Sequence, residues 1–114
     1  MVRMGHVIHL RAEVIDEYKR IHAAVWPAVL KGIAESNIRN YTIFLKEPEN
    51  LMFAYWEYHG TDFAADMAKM KLIPEMLEWW KITDPMQIPF ETRKPGEWWA
   101  GMENVFHTDQ APRG

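Results

Sequence analysis

Two runs of period-two alternation constrain this chain more than any other feature: RNYTIFLK at 39–46 and NLMFAYWEY at 50–58, separated only by Glu47-Pro48-Glu49. Alternation at this spacing predicts two strands, and the Glu-Pro-Glu link predicts a hairpin turn between them. On the first strand Tyr41, Ile43 and Leu45 share one face, with Thr42 and Phe44 on the other. On the second, Leu51, Phe53 and Tyr55 oppose Met52, Ala54, Trp56 and Tyr58. Apolar side chains on both faces mean that both faces are covered. Helices of the same chain can supply one cover, but 114 residues leave no material for a second layer. A second copy of the chain is the natural cover, which predicts a homodimer.

The flanking segments supply the helices. Residues 2–10 alternate as a strand with Val2, Met4, His6, Ile8 and Leu10 on one side. From Arg11 to about Ser36 the apolar residues recur at three- and four-residue steps, and Glu13, Asp16 and Glu17 suit the positive end of a helix dipole. Pro27 interrupts this run, so the helix either kinks near Trp26 or ends and restarts with Pro27 in its first turn. The pattern stops around Asn37. Thr61 is the expected N-cap of a further helix through Lys71, and a second segment follows across Pro74 with Ile73, Leu77 and Trp80 on one stripe. Residues 83–100, rich in Pro and ending in Trp98-Trp99, form a long loop of the kind that serves as a lid, binding loop or subunit contact. A last strand is expected over about Glu103 to Thr108. The order β-α-β-β-α-β is that of the ferredoxin-like split βαβ fold, an α+β class with helices on one face of an antiparallel sheet. Two such sheets paired face to face would make a dimeric α/β barrel. One domain is expected over 1–107, with 108–114 as a fraying tail.

Composition excludes several functions. Thirteen Lys and Arg against sixteen Asp and Glu give a formal charge of -3, the wrong sign for a phosphate-backbone footprint, so no nucleic-acid partner is expected. With no cysteine there is no disulfide scaffold, thiolate metal site or Cys nucleophile. No signal-peptide h-region and no membrane-length apolar run is present, so a cytoplasmic protein without membrane contact is expected. His6 and His9 point to opposite faces of their strand, and the five histidines are scattered without a carboxylate cluster, so no metal site is expected. Six Trp, four Tyr and five Phe remain. They fill a core or pack against a neutral, hydroxylated ligand with apolar C–H faces.

The candidate chemistry sits on YKRIHAAVWP, where Tyr18, His22 and Trp26 fall on one helical stripe at i, i+4 and i+8. A face built only for packing would carry Leu, Ile or Val there. An imidazole titrates near neutrality and can both give and take a proton, which nominates His22 for general acid–base work against the alternative of a structural histidine. Tyr18 can orient that imidazole or hydrogen-bond a hydroxylated ligand, and Tyr41 can face the helical layer from its strand. The rings of Trp79 and Trp80 diverge by about 100° on a helix, so Trp80 continues the core stripe and Trp79 is freer to flank a cavity. Trp98 and Trp99 are expected to anchor the loop or the dimer. Dinucleotide-binding, Walker A, nucleophile-elbow, HExxH and EF-hand patterns are all missing.

The run YKRIHAAVWP, followed in order by NYTIFL, NLMFAYWE, EWWK and ENVFHTD, resembles the L-rhamnose mutarotase family over essentially the whole chain, with Ala28 where the family is acidic. The resemblance implies a cofactor-free isomerase that interconverts the α and β anomers of L-rhamnose on a dimeric ferredoxin-like fold. It implies His22 as proton donor, with Tyr18, Tyr41, Trp79 and Trp80 binding the sugar. The competing expectations are a cofactor-independent monooxygenase on a similar dimeric fold and a noncatalytic sugar-binding dimer.

Overall fold

Five strands and four α-helices alternate along residues 1–109, the part of the chain described by the computed structural model. In chain order they are β1 (Val2–Leu10), α1 (Ile15–His22), α2 (Pro27–Glu35), β2 (Ile38–Lys46), β3 (Leu51–Tyr58), α3 (Phe63–Met70), α4 (Pro74–Thr83), β4 (Gln87–Ile88) and β5 (Ala100–Met102). The sheet runs β2-β3-β1-β4, with β5 also pairing β1, and every pair is antiparallel. This small α+β architecture is consistent with the ferredoxin-like arrangement. Residues 110–114 of the expected tail lie outside the described part.

Proline sets the helix boundaries. Trp26 is extended (ψ 135°) and Pro27 opens α2, so the first helical run ends and restarts rather than kinking. Pro74 opens α4 in the same way. Beyond α2, Asn37 adopts φ 64°, the left-handed conformation in which an Asn closes a helix. The cap of α3 is Asp62 rather than Thr61, its carboxylate accepting the Ala65 N–H at 3.1 Å.

The C-terminal third departs from expectation. The 83–100 stretch contains the end of α4 and the short β4, and the closing strand is Ala100–Met102 rather than 103–108. Alternation says that a segment can be a strand, not which stretch meets a free edge. Here β4 takes the His9–Leu10 end of β1 and β5 takes Gly5–Val7. Val105 and Phe106 are left exposed.

A β-bulge interrupts β2. Arg39 pairs with Glu57 and Thr42 with Tyr55, so Asn40 and Tyr41 together oppose Trp56. The extra residue resets the alternation: Ile38 before it and Ile43 after it face the same side, although their numbers differ in parity. Asn40 takes φ 54° there. Its side-chain amide donates to Glu57 Oε1 at 3.0 Å.

The core between sheet and helices is in two parts. One cluster gathers Val29, Ile38, Trp56, Tyr58, Met70, Met76 and Trp79, with Met4 and Ile21 packed against it. The other gathers Ile8, Leu10, Tyr18 and Met52, with Ile15, Ile43 and Leu45. The opposite face of the sheet is apolar and open, with Phe44 64% and Phe53 37% exposed and Ile88 and Met102 also bare. No helix among the described residues is long and apolar enough to cross a membrane.

Candidate active site

The seam between the two core clusters carries the polar chemistry. Along β1 it falls at His6, between Met4 and Ile8. Along β2 it falls at Tyr41, and along β3 at Ala54, between Trp56 and Met52. Ala54 is only 4% exposed, and its single methyl leaves the larger side chains around it to close the space. On the helical side the seam falls at His22, which touches both clusters. Its ring stacks on Tyr18 at 3.9 Å between centroids and meets Trp79 edge-on at 5.2 Å. A cleft of about 150 Å³ opens beside it, lined by Tyr18, Lys19, His22, Ile43, Leu45 and Met52.

The hydrogen bonding of His22 fixes its tautomer. Nδ1 lies 2.8 Å from the Tyr18 backbone oxygen, which can only accept, so Nδ1 carries the proton and Nε2 presents a lone pair. Burial lowers the pKa of His22, opposed by the Tyr18 carbonyl, which favours the charged ring. The imidazole is therefore neutral at pH 7, with an Nε2 lone pair able to accept a proton.

The two tyrosines stay protonated. Burial pushes Tyr18 up to about 12, with a further upward push from Tyr41, against the hydrogen bond that its oxygen accepts from Gln87 Nε2 at 3.3 Å. Because that oxygen accepts from Gln87, its own proton is free to donate. Gln87 Oε1 in turn accepts from Trp98 Nε1 at 2.8 Å, which ties the loop to Tyr18. Tyr41 is the second residue of the bulge and lies parallel to Trp56 at 6.3 Å. Its surface is 42% exposed, yet burial pushes its phenol up to about 12. Tyr41 is close enough to Tyr18 to push that phenol's pKa upward, but it is not among the residues that line the cleft beside His22.

The tryptophan pair divides. Trp79 is buried against His22 and Trp26, whereas Trp80 is partly exposed and borders a separate, shallow groove with Pro74, Leu77, Lys81 and Asp84. The stripe argument ranked the burial of the pair the wrong way round, because it compared the α4 residues with one another without knowing where α1 crosses, but Trp79 is the one of the two that stands beside His22. Three neighbours of the site had not been nominated. His6 was visible as a polar residue in an apolar alternation. Trp56 looked like core, and nothing in the sequence singles out Gln87. Among the described residues no group of three or more His, Asp and Glu could hold a metal ion.

A family model described as L-rhamnose mutarotase matches residues 3–108. The L-rhamnose mutarotase of Ligilactobacillus salivarius is 31% identical over 114 residues, covering 95% of this chain and 98% of that protein. That of Lactiplantibacillus plantarum is 29% identical over 109 residues, covering 96% and 100%. Among solved structures, an L-rhamnose mutarotase from Formosa agariphila superposes with a TM-score of 0.72 at 21% identity, over 96% of this chain and all of that one, which supports the fold.

Proposed function

The chain belongs to the L-rhamnose mutarotase family of anomer-interconverting isomerases, and from that premise we propose that His22 is the acid–base that opens and recloses the hemiacetal of L-rhamnose. The observation that carries this reading is the neutral His22 ring, its Nδ1 proton given to the Tyr18 carbonyl and its Nε2 left to accept. Nε2 takes the proton of the anomeric hydroxyl while the C1–O5 bond breaks, and O1 becomes the aldehyde oxygen. The imidazolium then delivers that proton to O5. Both oxygens are bonded to the same carbon, so one nitrogen serves both. Rotation about C1–C2 presents the other face of the aldehyde, and the reverse transfers close the ring as the other anomer. His22 is thus acceptor first and donor second. Tyr18 and Tyr41 donate hydrogen bonds to sugar hydroxyls. Of the Trp79-Trp80 pair, Trp79 makes the direct contact with the sugar, and the C5 methyl packs against Ile43, Leu45 and Met52.

Water opens hemiacetals unaided, so a single positioned acid–base contributing about 10²–10⁴-fold suffices. Catalytic amounts of protein are expected to speed exchange between the α and β NMR signals of L-rhamnose, and His22→Ala to remove about 10²-fold or more of that acceleration. Exchange unaltered by the wild-type protein sinks the reading. The open apolar face around Phe44 and Phe53 supports a homodimer paired through its sheets. The metabolic role of the family supports a cytoplasmic location.

A further inference from the structure

His6 lies on the helix-facing side of β1, paired in register with Ala54 across to β3, at the same seam that carries Tyr41 and His22. Its ring is parallel to Trp56, with centroids 5.5 Å apart and planes 6° apart, and Tyr41 lies parallel to the same indole from β2. Neither ring nitrogen has a hydrogen-bond partner among the described residues, and Nδ1 alone is shut off from solvent. The one carboxylate close enough to influence it, Glu97, has its oxygens engaged by the backbone N–H groups of Lys94 at 2.9 Å and Gly101 at 3.2 Å. Trp56 therefore packs the His6 ring without using its nitrogens.

This arrangement chooses a tautomer. A proton on Nδ1 would leave a buried N–H with no acceptor, whereas a proton on Nε2 keeps its hydration and leaves only a bare lone pair inside. A charged ring would bury an unpartnered N–H as well, in keeping with the lowering of the His6 pKa by burial. His6 is thus the complement of His22, an Nε2–H donor on the sheet against an Nε2 acceptor on the helix. We propose that His6 is a second catalytic residue of the anomer exchange, a neutral hydrogen-bond donor that stabilises the negative charge developing on the sugar's ring oxygen as the C1–O5 bond breaks. The proton itself moves between O1, His22 and O5 as described above, and His6 neither gains nor loses one. Donors held in place before the charge appears act without reorganisation, and a neutral histidine can fill this role.

The inference rests on the mutarotase reading, and the experiment separates the two. In the anomer-exchange assay, His6→Phe keeps an aromatic ring on Trp56 and removes the donor, and His6→Gln restores an N–H. His6→Phe is expected to lower kcat about 10²-fold with KM altered less than about threefold, and His6→Gln to recover at least a tenth of the lost rate. A His6→Phe enzyme at the wild-type rate overturns the inference, as does His6→Gln no faster than His6→Phe. Wild-type protein that fails to speed exchange overturns the mutarotase reading along with it. Nitrogen-15 spectra of histidine-labelled wild-type protein give a check free of substitutions: a neutral Nε2–H tautomer is expected for His6, and Nδ1–H would overturn the proposal.

Discussion

At the scale of the residue, the proposed mechanism works by assigning protons. In that proposal two histidines with the same intrinsic chemistry are sorted into an acceptor and a donor by what each Nδ1 meets: the Tyr18 carbonyl for His22, and no hydrogen-bond partner for His6. The phenols of Tyr18 and Tyr41 are pushed up to about 12, which keeps them as donors at any physiological pH. A pH profile follows with a definite sign. The pKa of His22 is lowered from 6.5 by burial, so its neutral, accepting form persists below that value. Enzyme-catalysed kcat/KM, measured above the spontaneous rate, should stay flat through neutrality and fall only on an acid limb whose midpoint lies below 6.5. No alkaline limb from the tyrosines should appear up to about pH 10. An acid midpoint at or above 6.5 would contradict the assignment. The nomination of His22 and Tyr18 was legible because helical spacing fixes which side chains stack. The tautomer was not, because it depends on a backbone oxygen and a cavity wall.

At the scale of the element, the bulge in β2 aims Tyr41. Without the extra residue, Ile38 and Tyr41 would point to opposite faces, and the core would lose one or the seam the other. The bulge is held from the outer face, where Glu57 accepts from Asn40 at 3.0 Å and from the Tyr55 hydroxyl at 2.7 Å and pairs with His59 Nε2 at 3.0 Å. These contacts, His59 foremost, pull the Glu57 pKa down to about 2 from 4.5. A depressed carboxylate stabilises the fold fully above its unfolded value, and that contribution is lost as pH falls through its folded one. The urea midpoints of wild-type protein and Glu57→Gln should therefore differ above pH 4.5 and converge as the pH approaches 2. A gap independent of pH would show that the carboxylate's charge is not what holds the bulge. Period-two alternation predicted both strands of the hairpin and their faces beyond Tyr41. The bulge escaped because a one-residue insertion changes neither composition nor local propensity.

At the scale of the molecule, one face of the sheet backs the candidate site and the other is a bare apolar surface. Phe44, at 64% exposure, is the sharpest probe of that surface. In a twofold pairing each substitution acts twice, and a buried Phe contributes roughly 1.5–3 kcal/mol. Sedimentation at micromolar concentration should find a dimer, and Phe44→Glu should weaken it by about 10²-fold or more; a wild-type monomer would refute the pairing. The amino-acid sequence by itself determined the order of the first three strands and their helices, an interruption at Pro27 though not whether the helix kinks or restarts there, and the stripe carrying Tyr18 and His22. These are set by periodicity and by backbone chemistry local to each residue. Only the tertiary structure decided that the apolar core divides at a seam, that Trp79 rather than Trp80 meets His22, that β5 lies at 100–102, and that His6 stacks on Trp56 with its Nδ1 buried and without a hydrogen-bond partner. Those outcomes depend on which free edge, ring or carbonyl another part of the chain brings within a few ångströms, and no local pattern encodes that proximity.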